Sequence, residues 1–292
     1  MTSTQRGAPK NNRLRKGKLA QTLGIAALSL GLALGTPPAV SQAAGDVEVY
    51  VSFEGYNLSQ GYYVQPVKVG LPEGGKASEA VMKVLEDAGR SAKCGSGAGT
   101  ACQAPYGTSG FYLNAVDFPG AERADLDLGD WPDYLAAKIA DTLGELDGVN
   151  GDGYLGQDDY LEDFSGWMFT VNNSYVSASL GSATLNDGDV VRVQFVLWMG
   201  QDLGVAVPGV GTPFFTMADK SQLIRELANA DPQLATDAEQ DDARAVAIDP
   251  KATTAQVAAA IEALTTGPAA PPALPAGTEV NAVKILGRDA TV

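Results

Sequence analysis

The sequence predicts an α+β protein, and three observations carry that expectation. VEVYVSF (47–53) alternates strictly between apolar and polar residues, the period-2 signature of a half-buried strand. A second strand-like run leads into one amphipathic helix. Two more β-rich runs, GWMFTVNN (166–173) and DVVRVQFVLW (189–198), lie beside turn-forming residues.

The chain opens with Arg6, Lys10, Arg13, Arg15, Lys16 and Lys18, followed by an apolar core from Leu19 to Leu34. That core is short for a membrane span, which needs about 20 apolar residues. Pro37 and Pro38 end any helix, and Ser41, Ala43 and Ala44 suit a cleavage site. Residues 1–44 therefore read as a secretory signal peptide, with an uncleaved anchor as the alternative. The expected location is secreted, extracellular.

In the segment 45–204, Val47, Val49, Val51 and Phe53 face one way and Glu48, Tyr50 and Ser52 the other. The second strand spans Tyr62 to Leu71, and Pro66 within it predicts an edge position. Ser78 is placed to cap a helix ending near Ala88, with Val81, Leu85 and Ala88 as its apolar stripe and Met82 filling the core beside them. GFYLNAVDF (110–118) reads as a third strand before the two β-rich runs. Two strands, a helix and three strands suit a β-grasp-like mixed sheet with one packed helix.

Residues 121–164 interrupt that order as a helix-loop-helix insertion. Asp130 starts its first helix, with Tyr134, Leu135, Ile139, Leu143 and Leu146 on one face. Beyond the sheet, residues 215–266 are alanine-rich and helical, and Asp231-Pro232 and Asp249-Pro250 divide them into a small three-helix module. Residues 267–292 form a Pro/Ala-rich linker and tail.

Charge and composition narrow the function. The chain has 20 Lys+Arg against 35 Asp+Glu; loss of the six basic residues before Gly45 leaves a net charge of −21. Nucleic acid and anionic membrane need clustered basic charge and are not expected partners. Histidine is absent, so Ser-His-Asp, Cys-His and histidine-metal chemistry are excluded. Acidic pairs such as Asp158 and Asp159 have no glycosidase motif around them, and no enzyme activity is expected. Cys94 and Cys102 flank GSGAGTA; in an oxidising compartment a disulfide is expected, worth about 2–3 kcal/mol. Two free thiols are the alternative.

The sharpest chemical motif is GVNGDGYLGQDD (148–159), which is similar to an EF-hand or dockerin calcium loop. Asn150 and Asp152 take the third and fifth positions and Gly153 the turn at the sixth. Tyr154 offers a backbone carbonyl at the seventh, and Asp159 closes the loop at the twelfth. The first position is Gly148 rather than Asp, so Asp147 or Asp158 would have to swing in. The competing reading is a solvated acidic turn.

Four stretches resemble a bacterial extracellular family of unknown function related to the C-terminal domain of transcobalamin and intrinsic factor. They are VEVYVSFEG with GYYVQPVKVGLPEG, ASEAVMKVLEDAG, SGWMFTVNNSYVSAS, and LNDGDVVRVQFVLWMGQDLG. The resemblance covers most of residues 47–204. It implies cobalamin or a related corrinoid as ligand, with Trp167, Asn172 and Tyr175 as its contacts. For Trp167 a core position, and for Asn172 a turn, are the competing readings. DKSQLIRELANA and IDPKATTAQVAAAIEALT resemble the three-helix repeats of Gram-positive surface proteins. The expected function is a secreted, non-enzymatic binding module for a small molecule or a cell-surface partner. The alternative is a structural or adhesive spacer stiffened by calcium.

Overall fold

A computed structural model describes residues 46–122, 133–142, 148–157, 159–161 and 164–266. The expected signal peptide and C-terminal tail lie outside the described residues. Along the chain come β1 (Asp46–Glu54), a 3-10 turn (Tyr56–Leu58), β2 (Tyr62–Pro72), α1 (Ala77–Asp87), β3 (Ala92–Cys94), β4 (Thr100–Ala101) and β5 (Leu113–Val116). Then follow α2 (Asp133–Thr142), β6 (Leu155–Gly156), β7 (Gly166–Val171), β8 (Ser174–Tyr175) and β9 (Val190–Val196). A 3-10 turn (Gln201–Leu203) leads to α3 (Ser221–Ala228), α4 (Asp237–Ile248) and α5 (Thr254–Thr266). The chain is α+β, as its patterning predicts.

The larger sheet has the order β2-β1-β9-β7-β8. β1 and β9 run parallel, and the other neighbours are antiparallel. β2 lies at an edge, where Pro66 leaves no central ladder bond unmade. Val49, Val51 and Phe53 meet Val191, Val193 and Phe195 on one face, under Val81 and Leu85 of α1. Met82 is buried with them.

Three local expectations change. The cap of α1 is Lys76, two residues before the expected Ser78, and its N–H donates to the Glu79 carboxylate at 2.7 Å. Ser78 instead donates its hydroxyl to the Tyr106 carbonyl at 2.8 Å, and Ala88 is exposed past the helix end. The strand expected at 110–118 shortens to β5 and leaves the main sheet. It joins a smaller sheet of order β4-β3-β5-β6, because the cysteine hairpin and the insertion supply closer partners than β7. The main sheet takes β8 in its place.

The second face of β1 is buried as well. Tyr50, Ser52 and Glu54 are all buried, because α3 packs Ile224 against Tyr50 and Val190. Glu54 there receives Arg192 Nε at 2.9 Å and Nη2 at 2.6 Å, and Ser52 Oγ at 2.7 Å. Helices α3 to α5 share a core of Leu223, Leu227, Ala243, Ala247, Val257 and Leu264, with Tyr62 of β2 packed against it. No helix among the described residues is long and apolar enough to cross a membrane.

Candidate functional site

The smaller sheet carries one cross-strand row: Ala101, Lys93, Ala115 and Gly156 stand in register on β4, β3, β5 and β6. Three of the four are Ala or Gly, so the row is a trough with a single long side chain in it. Gly156 is required there, since a Cβ would lie 2.5 Å from the Ala115 Cβ. The ladder slips between Lys93 and Cys94, whose partners are Ala115 and Leu113. Asn114 is therefore the extra residue of a β-bulge, a device that re-aims a side chain. Asn114 lines the same trough as Lys93.

Two loops wall the trough. The first is the β3–β4 hairpin, closed by the Cys94–Cys102 disulfide with a Cα–Cα distance of 4.9 Å. The expected pairing is present. Ala98 stands at its rim, and the Gly97 carbonyl accepts from Asn114 Nδ2 at 2.8 Å. The second wall is the acidic loop, from which Asn150, Asp152 and Gln157 line the trough. The cavity measures about 250 Å³.

The acidic loop holds itself open through carboxylate and amide acceptors. Asn150 Oδ1 accepts from the Asp152 N–H at 2.9 Å, and Asp152 Oδ1 from the Tyr154 N–H at 2.8 Å. Gly153 makes the sharp turn expected of it, at φ 82°. Asp159 is fully buried and accepts from the Asn150 N–H at 3.0 Å and the Gly156 N–H at 2.7 Å. Burial pushes its carboxyl up to about 6; the two backbone donors oppose that shift, while Glu122 and Asp152 add to it. Asp147 and Asp158 lie outside the described residues.

Sequence reasoning missed two members of this site. Glu122 accepts from the Gly151 N–H and, at 2.7 Å, from the Gly153 N–H. Lys93 pairs its ammonium with Asp152 Oδ2 and sits 4.2 Å above the Tyr154 ring centroid. A cation thus already faces the loop. Neither residue carries a local signal; only the strand register brings Lys93 opposite Gly156 through Ala115.

Trp167, Asn172 and Tyr175 are placed apart. Trp167 is 8% exposed, packs edge-on to Phe53, Phe118 and Phe195, and donates Nε1 to the Leu155 carbonyl at 2.9 Å. Asn172 sits in a turn at φ 48°. Its Nδ2 donates to Asp189 Oδ1 at 2.6 Å and its Oδ1 accepts from the Val190 N–H at 3.0 Å, tying the β7 end to β9. Tyr175 is half-buried on the other face, against the cluster of Val196, Leu203 and Val207.

No protein-family model matches this chain, and a search of curated proteins finds no match either.

Proposed function

We propose that this protein is an exported, non-enzymatic binding module that takes a small polar molecule into the trough of its smaller sheet. The observation that carries this reading is the bulge at Asn114. It adds an amide to a row otherwise emptied by small residues, beside a charge-neutral Lys93–Asp152 pair. A concave site with a few convergent polar groups on rigid walls is what ligand recognition requires. The basic, then apolar, then small-residue order of residues 1–44 supports export. The strand order of the larger sheet, with α1 on one face, supports the β-grasp-like reading and its likeness to the transcobalamin C-terminal domain.

A thermal-shift screen of soluble metabolites on the purified protein tests the proposal. A true ligand at a hundredfold its dissociation constant adds about 2.7 kcal/mol of stability. Absence of any stabiliser at millimolar concentration contradicts it. Cobalamin belongs in the same screen, followed by gel filtration; colour co-eluting with the protein supports the corrinoid ligand, and colourless protein rejects it.

The calcium-stiffened spacer is the second reading, favoured by the loop turn at Gly153 with Asn150 and Asp152 beside it; among the described residues no three acidic side chains converge as a metal-binding group. Calcium would have to displace the Lys93 ammonium from Asp152. Calorimetry at millimolar calcium should therefore show more heat for Lys93→Met than for the wild type. Silence from both proteins removes this reading.

A further inference from the structure

The chemistry of the trough selects among small molecules. Its one cation and its nearest carboxylate, Lys93 and Asp152, neutralise each other. An anion would meet Glu122 and Asp159 behind Asp152, in a chain of net charge −15, and is repelled. A cation or a zwitterion would have to break the Lys93–Asp152 pair before making its own. A neutral polyol needs neither step, because its hydroxyls donate and accept together and can bond to both partners of an intact pair.

Amides complement that pair. Asn114, Asn150 and Gln157 line the cavity, and each carboxamide carries both donors and acceptors, of which Asn114 Nδ2 is bonded to the Gly97 carbonyl, Asn150 Oδ1 to the Asp152 N–H and Gln157 Oε1 to the Tyr112 hydroxyl. Two tyrosines touch its lining residues. The Tyr154 ring lies beneath Lys93. Tyr112 is 44% exposed and donates its hydroxyl to Gln157 Oε1 at 3.1 Å. The exposed Tyr112 ring, held at a polar rim, suits the C–H face of a pyranose, which has an apolar side and a hydroxylated edge. The volume, about 250 Å³, falls just below the ~300–1,000 Å³ of drug-sized pockets. It fits one ring, not a macrocycle.

We infer that the trough between the disulfide hairpin and the acidic loop binds a single neutral sugar ring, held by Asn114, Gln157 and the Lys93–Asp152 pair with Tyr112 at its edge. The inference rests on the trough being the ligand site, and it adds the class of ligand.

The test is an NMR titration of the ¹⁵N-labelled protein with glucose, galactose, mannose and N-acetylglucosamine, each taken to tens of millimolar to cover weak affinity. Glycine and inorganic phosphate serve as zwitterion and anion. At least one sugar should move the Gly156 amide and the side-chain amides of Asn114 and Gln157. Gln157→Ala should weaken that sugar about fivefold, the loss of one neutral hydrogen bond, and leave the rest of the spectrum unchanged. Tyr112→Ala, a change at an exposed side chain, should weaken it as well. If glycine or phosphate moves these signals and no sugar does, the sugar class is overturned while the trough remains a ligand site. If no probe moves them, the sugar class is overturned, and if the metabolite screen also finds no stabiliser the trough fails as a site altogether. Sugar-induced shifts that survive both variants unchanged place the binding elsewhere and also overturn the inference.

Discussion

Arg192 and Glu54 form a two-pronged ion pair, at 2.9 and 2.6 Å, on the face of the main sheet that α3 and Met217 cover. Both side chains are at most 2% exposed. Strand alternation puts polar residues on that face, and burial then requires them to satisfy one another. Truncating one partner leaves the other charge uncompensated. Arg192→Met should therefore cost about 3–5 kcal/mol in urea unfolding, whereas Arg192→Met combined with Glu54→Leu should cost much less or nothing.

Lys220 is buried at the start of α3 and donates to the carbonyls of Ala247, at 3.0 Å, and Asp249 at the end of α4. Burial, together with Arg192 of β9, pushes its ammonium down to about 7, against the weaker pull of Glu54 and Asp249. Between about pH 7 and its ordinary value of 10.5 the unfolded chain holds a proton that the folded chain has released. Stability from this group therefore rises with pH across that window, by up to about 1.4 kcal/mol per pH unit, and is lowest below pH 7. Lys220→Met should flatten this slope and gain most over the wild type at pH 6. An unchanged slope in the variant contradicts the assignment.

Removing the Cys94–Cys102 bridge should cost about 2–3 kcal/mol. The larger effect is expected at the trough, where the hairpin forms one wall. Cys94→Ser with Cys102→Ser should weaken any trough ligand more than the lost stability alone explains, because the wall is no longer preorganised. Melting curves with and without ligand separate the two effects.

Trp167→Ala should destabilise by about 3–5 kcal/mol, the range for a large aromatic removed from a core. The indole contacts Phe53, Phe118 and Phe195 and also bonds the Leu155 carbonyl beside Gly156. The same substitution should therefore loosen β6, which amide exchange at Leu155 and Gly156 would show.

Strand and helix placement was legible because alternation and helical spacing are local. Val49, Val51 and Phe53 announce their core face within seven residues. The burial of Ser52 and Glu54 was not legible, since Ile224 and Met217 cover that face from more than 150 residues away in sequence. Part of the acidic loop could be read: Gly153 makes the turn its position implies, whereas Asn150 and Asp159, expected as calcium ligands, accept backbone N–H groups of the loop. Lys93 and Glu122 could not, because register and chain return bring them there. The bulge at Asn114 is a one-residue mismatch between strands, and neither strand alone encodes it. Cysteine spacing was the exception: a nonlocal wall of the site signalled by two nearby residues.

The most direct measurement fills the trough. Ala98 is exposed at its rim, away from both cores, so Ala98→Trp should block the cavity while leaving the unliganded Tm within a few degrees. Molecules that raise the Tm of the wild type should then have no effect on Ala98→Trp. If they stabilise both proteins equally, the trough is not the binding site.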